Sequence, residues 1–218
     1  MIGIYGGTFD PIHFGHLRTA LDLRQRLQLH AVRMIPAHVP PHRPPPVASA
    51  EARWAMLELA LAGQAELVAD DRELRRPGPS YMVDTLSSLR AELGDQPMGL
   101  ILGMDAFLGL EGWHRWERLL ELAHLVVLHR AHIWGEELKQ RVPEELRLRM
   151  IEVEPFARVP DPASQTVYLI NHEPFPISGT SIRARQSRGL PIRELVPHEI
   201  YSYIQKYGLY RREGEDLV

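Results

Sequence analysis

The chain has 218 residues, 44% hydrophobic and 24% charged, with a formal net charge of -3 and no cysteine. That length and composition suit one sizeable α/β domain and exclude disordered and fibrous classes. The absence of cysteine excludes disulfides, thiolate zinc sites and cysteine nucleophiles, and the slight negative charge argues against a whole-protein footprint for nucleic acid. The N-terminus enters Ile2-Gly3-Ile4-Tyr5 without a basic and apolar leader, and no apolar run is long enough to span a bilayer. A cytoplasmic protein with no membrane and no nucleic-acid partner is therefore expected.

Short apolar runs alternate with longer amphipathic stretches, the pattern of strands joined by crossover helices in a parallel sheet. Strands are predicted near 2–5, 32–35, 67–69, 99–102, 125–128 and 167–170. In 17–27, Leu17, Ala20, Leu21, Leu23 and Leu27 fall largely on one helical face, and 50–61 repeats the pattern. A third helix is expected over 80–93, with Ser80 as its candidate N-cap. The segment 36–46 carries six prolines with His38, His42 and Arg43, a composition for an extended surface loop. Past a boundary at 174–178, helices are expected at 180–188 and 197–207, followed by a charged tail from Arg211. The expected fold is α/β: a doubly wound, mostly parallel sheet with helices on both faces and a small C-terminal helical segment. Residues 1–176 form its core, 177–210 close it, and 211–218 are the tail.

The segment Gly6-Gly7-Thr8-Phe9-Asp10-Pro11-Ile12-His13-Phe14-Gly15-His16 leaves the first strand and enters the first helix. In an open parallel sheet ligands bind beyond the carboxyl ends of strands, where a helix start offers backbone N–H groups to an anion. Gly6 and Gly7 allow a tight turn and a close approach to phosphate. His13 and His16, three apart at a helix start, fall on one side, so both imidazoles can donate to one polyphosphate. Gly15 leaves room for an adenine ring or ribose. A metal site would need a third ligand, for which Asp10 is a thin candidate, and the Gly-x-Gly-x-x-Gly spacing of dehydrogenases is absent.

This segment resembles the signature of the nucleotidyltransferase superfamily that carries His-x-Gly-His on a Rossmann-like sheet. Ile177-Ser178-Gly179-Thr180-Ser181-Ile182-Arg183 resembles its distal motif, in which Ser178 or Thr180 can cap a helix facing phosphate and Arg183 supplies a cationic fork. Other segments resemble the nicotinate-mononucleotide adenylyltransferase branch. They are Pro40-Pro41-His42-Arg43, Pro79-Ser80-Tyr81-Met82-Val83-Asp84-Thr85, and Gly103-Met104-Asp105 followed by Trp113-His114. The chain departs from that pattern in three places: Met82 replaces a threonine, Gly179 replaces a serine, and His114 stands where tyrosine is usual.

The resemblance implies transfer of AMP from ATP to nicotinate mononucleotide, releasing pyrophosphate, with Mg²⁺ bound through the ATP phosphates and no protein metal ligand. It implies His13, His16 and Arg183 as the catalytic groups. It assigns Gly6, Gly7, Thr8, Phe9, Gly15, Gly103, Asp105, Ile177, Ser178, Thr180 and Arg43 to ATP, and Tyr81, Thr85, Trp113 and His114 to the nicotinate nucleotide. Asp105, just past a strand end, also suits ribose hydroxyls on physical grounds, whereas Thr85 rests on the resemblance alone and Trp113 reads equally as core. Phosphopantetheine adenylylation, polyol phosphate cytidylylation and a non-catalytic nucleotide-binding regulator are the alternatives, and a homo-oligomer is left open.

Overall fold

The computed structural model describes residues 1–41, 44–130, 135–153, 165–173 and 175–211. Seven strands, β1 (Ile2–Gly7), β2 (Val32–Pro36), β3 (Leu67–Ala69), β4 (Met98–Gly103), β5 (His124–His129), β6 (Met150–Val153) and β7 (Val167–Asn171), build one sheet in the order β3-β2-β1-β4-β5-β7-β6. Every pairing among them is parallel. The order reverses at β1, which has β2 on one side and β4 on the other, so a crevice opens beyond the carboxyl ends of β1 and β4. The molecule thus has the Rossmann-like α/β fold.

Strand residues alternate between two cores. In β4, Leu100 and Leu102 enter one and Ile101 the other; in β5, Leu125 and Val127 join the first and Val126 the second. The core around Ile101 and Val126 is closed by α1 (Phe14–Arg26), α2 (Ala50–Leu61), α9 (Gly179–Gln186) and α10 (His198–Lys206), which contribute Leu23, Met56, Ile182 and Ile200. The other core is closed by α4 (Met82–Leu93) and α6 (Glu117–Leu122) through Leu86, Leu89 and Leu119. Leu86 and Leu89 are fully buried, so truncating either to alanine costs about 2–5 kcal/mol. Short helices α3 (Arg72–Arg75), α5 (Met104–Leu108), α7 (Glu136–Gln140) and α8 (Glu144–Arg147) fill the connections.

Two local expectations change. The helix expected from Ser80 begins at Met82, with Tyr81 as an N-cap that makes no side-chain bond. Ser80 instead accepts from the main-chain N–H groups of His38 (2.8 Å) and Val39 (3.3 Å), tying α4 to the loop after β2. The strand β6 was not expected from sequence. It lies at the sheet edge with Ile151 47% exposed, so it lacks the continuous apolar run that marks strands buried on both faces. The opposite edge is pinned by charge: Arg33 and Arg72 both bond Asp70 and Glu92, linking β2 to the far turn of α4.

Candidate active site

A cavity of about 1000 Å³ occupies the crevice. At the end of β1 its wall is Gly6, Gly7, Thr8 and Phe9, and the start of α1 adds His13, Gly15 and His16. Ile177, Ser178, Thr180 and Arg183 approach from the start of α9, Gly103 and Asp105 from the end of β4. Tyr81, Trp113 and His114 complete the lining among the residues expected from sequence.

His13 is the N-cap of α1, held extended at φ -150° and ψ 169°. Its ring stacks on that of His16 with centroids 3.7 Å apart and planes 21° from parallel. Phe9 braces the pair by setting its edge against His16 at 5.0 Å. His13 is only 4% exposed, and burial pushes its pKa down to about 4. Near neutral pH it is therefore an uncharged imidazole that donates through one nitrogen. Its Nδ1 is buried without a hydrogen-bond partner among the described residues.

The glycines of this segment serve packing more than the sequence suggests. A Cβ on Gly15 would sit 3.0 Å from the His13 ring and 3.4 Å from the Ile177 carbonyl, so its absence also lets the imidazole pack against the backbone. A Cβ on Gly7 would meet the Phe9 ring at 3.0 Å, and one on Gly6 the Met82 methyl at 2.7 Å. Neither needs a left-handed backbone; the residue that adopts one is Phe9, at φ 47°.

Arg183 reaches back across the chain to the same segment. Its Nη1 donates to the Asp10 carbonyl oxygen at 2.6 Å and lies 3.7 Å from Asp10 Oδ2, while Nη2 donates to Thr180 Oγ1 at 3.4 Å. Ser178 caps α9, accepting from Ser181 N at 3.1 Å in a closed capping box. The glycine at 179 has a steric origin: a Cβ there would fall 2.8 Å from the Asp10 carbonyl and 3.2 Å from Arg183 Nη1. A serine would push the guanidinium away from the carbonyl that holds it.

Two supporting roles were not foreseen from sequence: that of Asp10, weighed there only as a thin metal-ligand candidate, and that of Arg53. Asp10 is buried and accepts from Val47 N (2.7 Å), Ala48 N (3.1 Å) and the Tyr210 hydroxyl (2.7 Å), gathering two distant segments behind the Arg183 contact. Arg53, 1% exposed, donates to the carbonyls of Thr8 (2.9 Å) and Ala37 (2.7 Å). Its signal was present: Arg53 shares one helical stripe with Met56, Leu57 and Ala60, a face that otherwise reads as core.

At the other end of the wall, the Tyr81 and His114 rings lie 4.3 Å apart at 31°. Trp113 is half-buried against the α4 and α6 core while still lining the cavity. Asp105 is exposed in the first turn of α5. Thr85 differs from expectation: it is fully buried, is absent from the cavity wall and gives its hydroxyl proton to Glu73 Oε1 at 2.6 Å. One turn into α4, its side chain points behind the wall that Tyr81 and Met82 present. Arg43 and His42 lie outside the described residues. Among the described residues no three His, Asp or Glu side chains gather where they could hold a metal ion, and no helix is long and apolar enough to cross a membrane.

The family model for cytidylyltransferase-like proteins matches residues 4–185. A Methylococcus capsulatus protein named a probable nicotinate-nucleotide adenylyltransferase is 47% identical over 216 residues, covering 97% of this chain and 100% of that protein. An Aeromonas hydrophila protein of the same name is 44% identical over 211 residues, covering 96% and 97%. Among solved structures, the Plasmodium falciparum nicotinic acid mononucleotide adenylyltransferase complexed with NaAD matches with a TM-score of 0.72 over 96% of each chain. At 19% identity that likeness is one of fold.

Proposed function

Because this chain belongs to the cytidylyltransferase-like family, and by 47% and 44% identity to the nicotinate-nucleotide adenylyltransferases within it, we propose that its crevice joins ATP to nicotinate mononucleotide through the groups described above. It is a nucleotidyltransferase that moves AMP from ATP to the nucleotide's phosphate, giving nicotinate adenine dinucleotide and pyrophosphate. One observation carries the assignment of residues: His13, His16 and Arg183, from opposite ends of the chain, line one cavity.

A phosphate oxygen of nicotinate mononucleotide attacks the α-phosphorus of ATP in line, and the bond to the bridging oxygen of the departing pyrophosphate breaks. The attacking phosphate is already ionised near neutral pH, so the protein supplies neither nucleophile nor base, only position and charge stabilisation. His13 and His16 hold the triphosphate. Arg183, pre-aimed by Asp10, and the capped start of α9 stabilise the leaving group. The anion favours the protonated form of the His13 imidazole, which burial keeps neutral in the free protein. Mg²⁺ brought with ATP would neutralise phosphate charge, and His13, His16 and Arg183 would hold the phosphates that carry it.

Gly6, Gly7, Thr8, Phe9, Gly15, Gly103, Ile177, Ser178, Thr180 and Arg43 belong to the ATP side of this reading, with Asp105 on ribose hydroxyls. The flat ring lies with Tyr81, Trp113 and His114. Selectivity for the ring carboxylate comes from main-chain N–H groups at the start of α4, with Thr85 behind them, because unpaired donors reject the amide better than shape does. The enzyme acts in the cytoplasm. Pyrophosphate release from ATP, measured with nicotinate mononucleotide, nicotinamide mononucleotide and 4′-phosphopantetheine in parallel, tests the reading. Release should depend on the first and fall for the second; release with only the third overturns it.

A further inference from the structure

Glu73 is an unexpected group in this wall. It sits in the short helix α3, is 2% exposed, and lines the cavity. Acidic side chains are rarely so buried unless something holds them there. Thr85 donates its hydroxyl proton to Glu73 Oε1 at 2.6 Å, and the Ser80 hydroxyl also bonds the carboxylate. Both hydroxyl oxygens are occupied in turn. Thr85 Oγ1 accepts from Arg76 Nη2 at 3.1 Å, and Ser80 Oγ accepts from His38 N and Val39 N at 2.8 and 3.3 Å. Arg76 Nη2 also reaches the Tyr81 carbonyl at 3.3 Å.

Each hydroxyl has only one proton. Once Ser80 accepts two N–H groups and Thr85 accepts Arg76, each hydroxyl has its proton left to donate: Glu73 takes that of Ser80 and, at 2.6 Å, that of Thr85, for which the Tyr81 carbonyl at 3.3 Å is the more distant acceptor. The carboxylate thereby joins α3, the first turn of α4 and the main chain after β2. Tyr81 stands between Ser80 and Met82, so the ring that stacks on His114 is mounted on this junction. The Met82 methyl in turn fills the space above Gly6, which carries the junction's position to the phosphate corner.

We propose that Glu73 is a positioning residue for the nicotinate end of the nucleotide, fixing the Tyr81–Thr85 turn through the Thr85 and Ser80 hydroxyls. This rests on the adenylyltransferase reading above. Electrostatics alone would predict the opposite role, since a buried carboxylate in the wall repels an anionic ring, and removing its charge would tighten binding. The two accounts therefore differ in sign. Glu73→Gln keeps the size but replaces one carboxylate oxygen with an NH2 donor and the other with an uncharged acceptor, so the hydroxyl bonds lose their charge assistance and the turn loses an anchor.

The test is steady-state pyrophosphate release with each substrate varied in turn. Glu73→Gln should raise KM for nicotinate mononucleotide about tenfold, the scale of one buried donor left unpaired, while KM for ATP changes less than about twofold. Thr85→Val should match it, Thr85→Ser should restore the wild-type value, and the double variant should add little. A lowered or unchanged KM for the nicotinate nucleotide in Glu73→Gln overturns the proposal, as does an equal rise for both substrates. Should Glu73→Gln fail to fold, Thr85→Val against Thr85→Ser decides alone, and equal KM values for that pair overturn it. Wild-type protein without nicotinate-dependent release would sink the function itself, an outcome read before any variant is made.

Discussion

The phosphate corner and the α3–α4 wall line the same cavity but are held by different means. In the corner, His13 and His16 stack within one helical turn, and Arg183 is aimed by a main-chain oxygen, that of Asp10. In the wall, Glu73, Thr85, Ser80 and Arg76 hold one another through side-chain bonds that join three short segments. A group fixed within one helical turn, as the histidine pair is, can be written as a contiguous motif; a contact made across the chain, as Arg183 makes with Asp10 and Ser80 with the loop after β2, cannot. The corner should therefore govern turnover and the wall affinity for one substrate.

The largest expected effect lies in the corner. His16→Ala should lower kcat on the order of 10²-fold or more, because it removes charge stabilisation in the transition state, with the melting temperature close to wild type. Near wild-type kcat in a folded variant would break the contrast between the two regions.

Next comes acid sensitivity. His13 has a folded pKa of about 4 against about 6.5 in an unfolded chain, so the unfolded state binds the extra proton between those values. The stability from burying a neutral imidazole is complete above about pH 6.5 and declines as pH falls toward 4, by about 2–3 kcal/mol near pH 4.5. Denaturant unfolding of wild type and His13→Gln at pH 7.5 and 4.5 checks it. Wild type should lose more on acidification, and parallel losses would show that the group is not buried uncharged. Excess ATP should reduce the difference, since bound phosphate favours the imidazolium.

Gly179→Ala sharpens the account of how Arg183 is aimed. Its Cβ would lie 2.8 Å from the Asp10 carbonyl, so kcat should fall about tenfold, equivalent to about 1.4 kcal/mol of lost transition-state stabilisation. KM for nicotinate mononucleotide should hold. A change confined to that KM would assign Arg183 to the wrong substrate. The smallest effect is expected at Glu92, half-exposed with its pKa drawn down to about 2 by its bonds to Arg33 and Arg72. Glu92→Gln should cost less than about 1 kcal/mol by thermal melting, because water screens exposed pairs, and it should leave both KM values alone.

Legibility followed burial and locality. Strands buried on both faces are near-continuous apolar runs, so β4 and β5 could be read directly, while β6, with Ile151 half in solvent, could not. Arg53 was hidden by its own face of α2, where a charge in an apolar stripe reads as an irregularity until Thr8 and Ala37 are seen to present carbonyls to it. Thr85 was named for a role at the ligand, and the fold sets it behind the wall on Glu73.

The sequence by itself determined the alternation of strands and helices, the strand-to-helix placement of His13 and His16, and the capped helix that carries Arg183, because each depends on contacts within a few residues. Only the tertiary structure decided the strand order that opens the crevice at β1 and β4, the meeting of Arg183 with Asp10, and the burial of Glu73. Those depend on which distant segments share a volume, and close packing settles that for the whole chain at once.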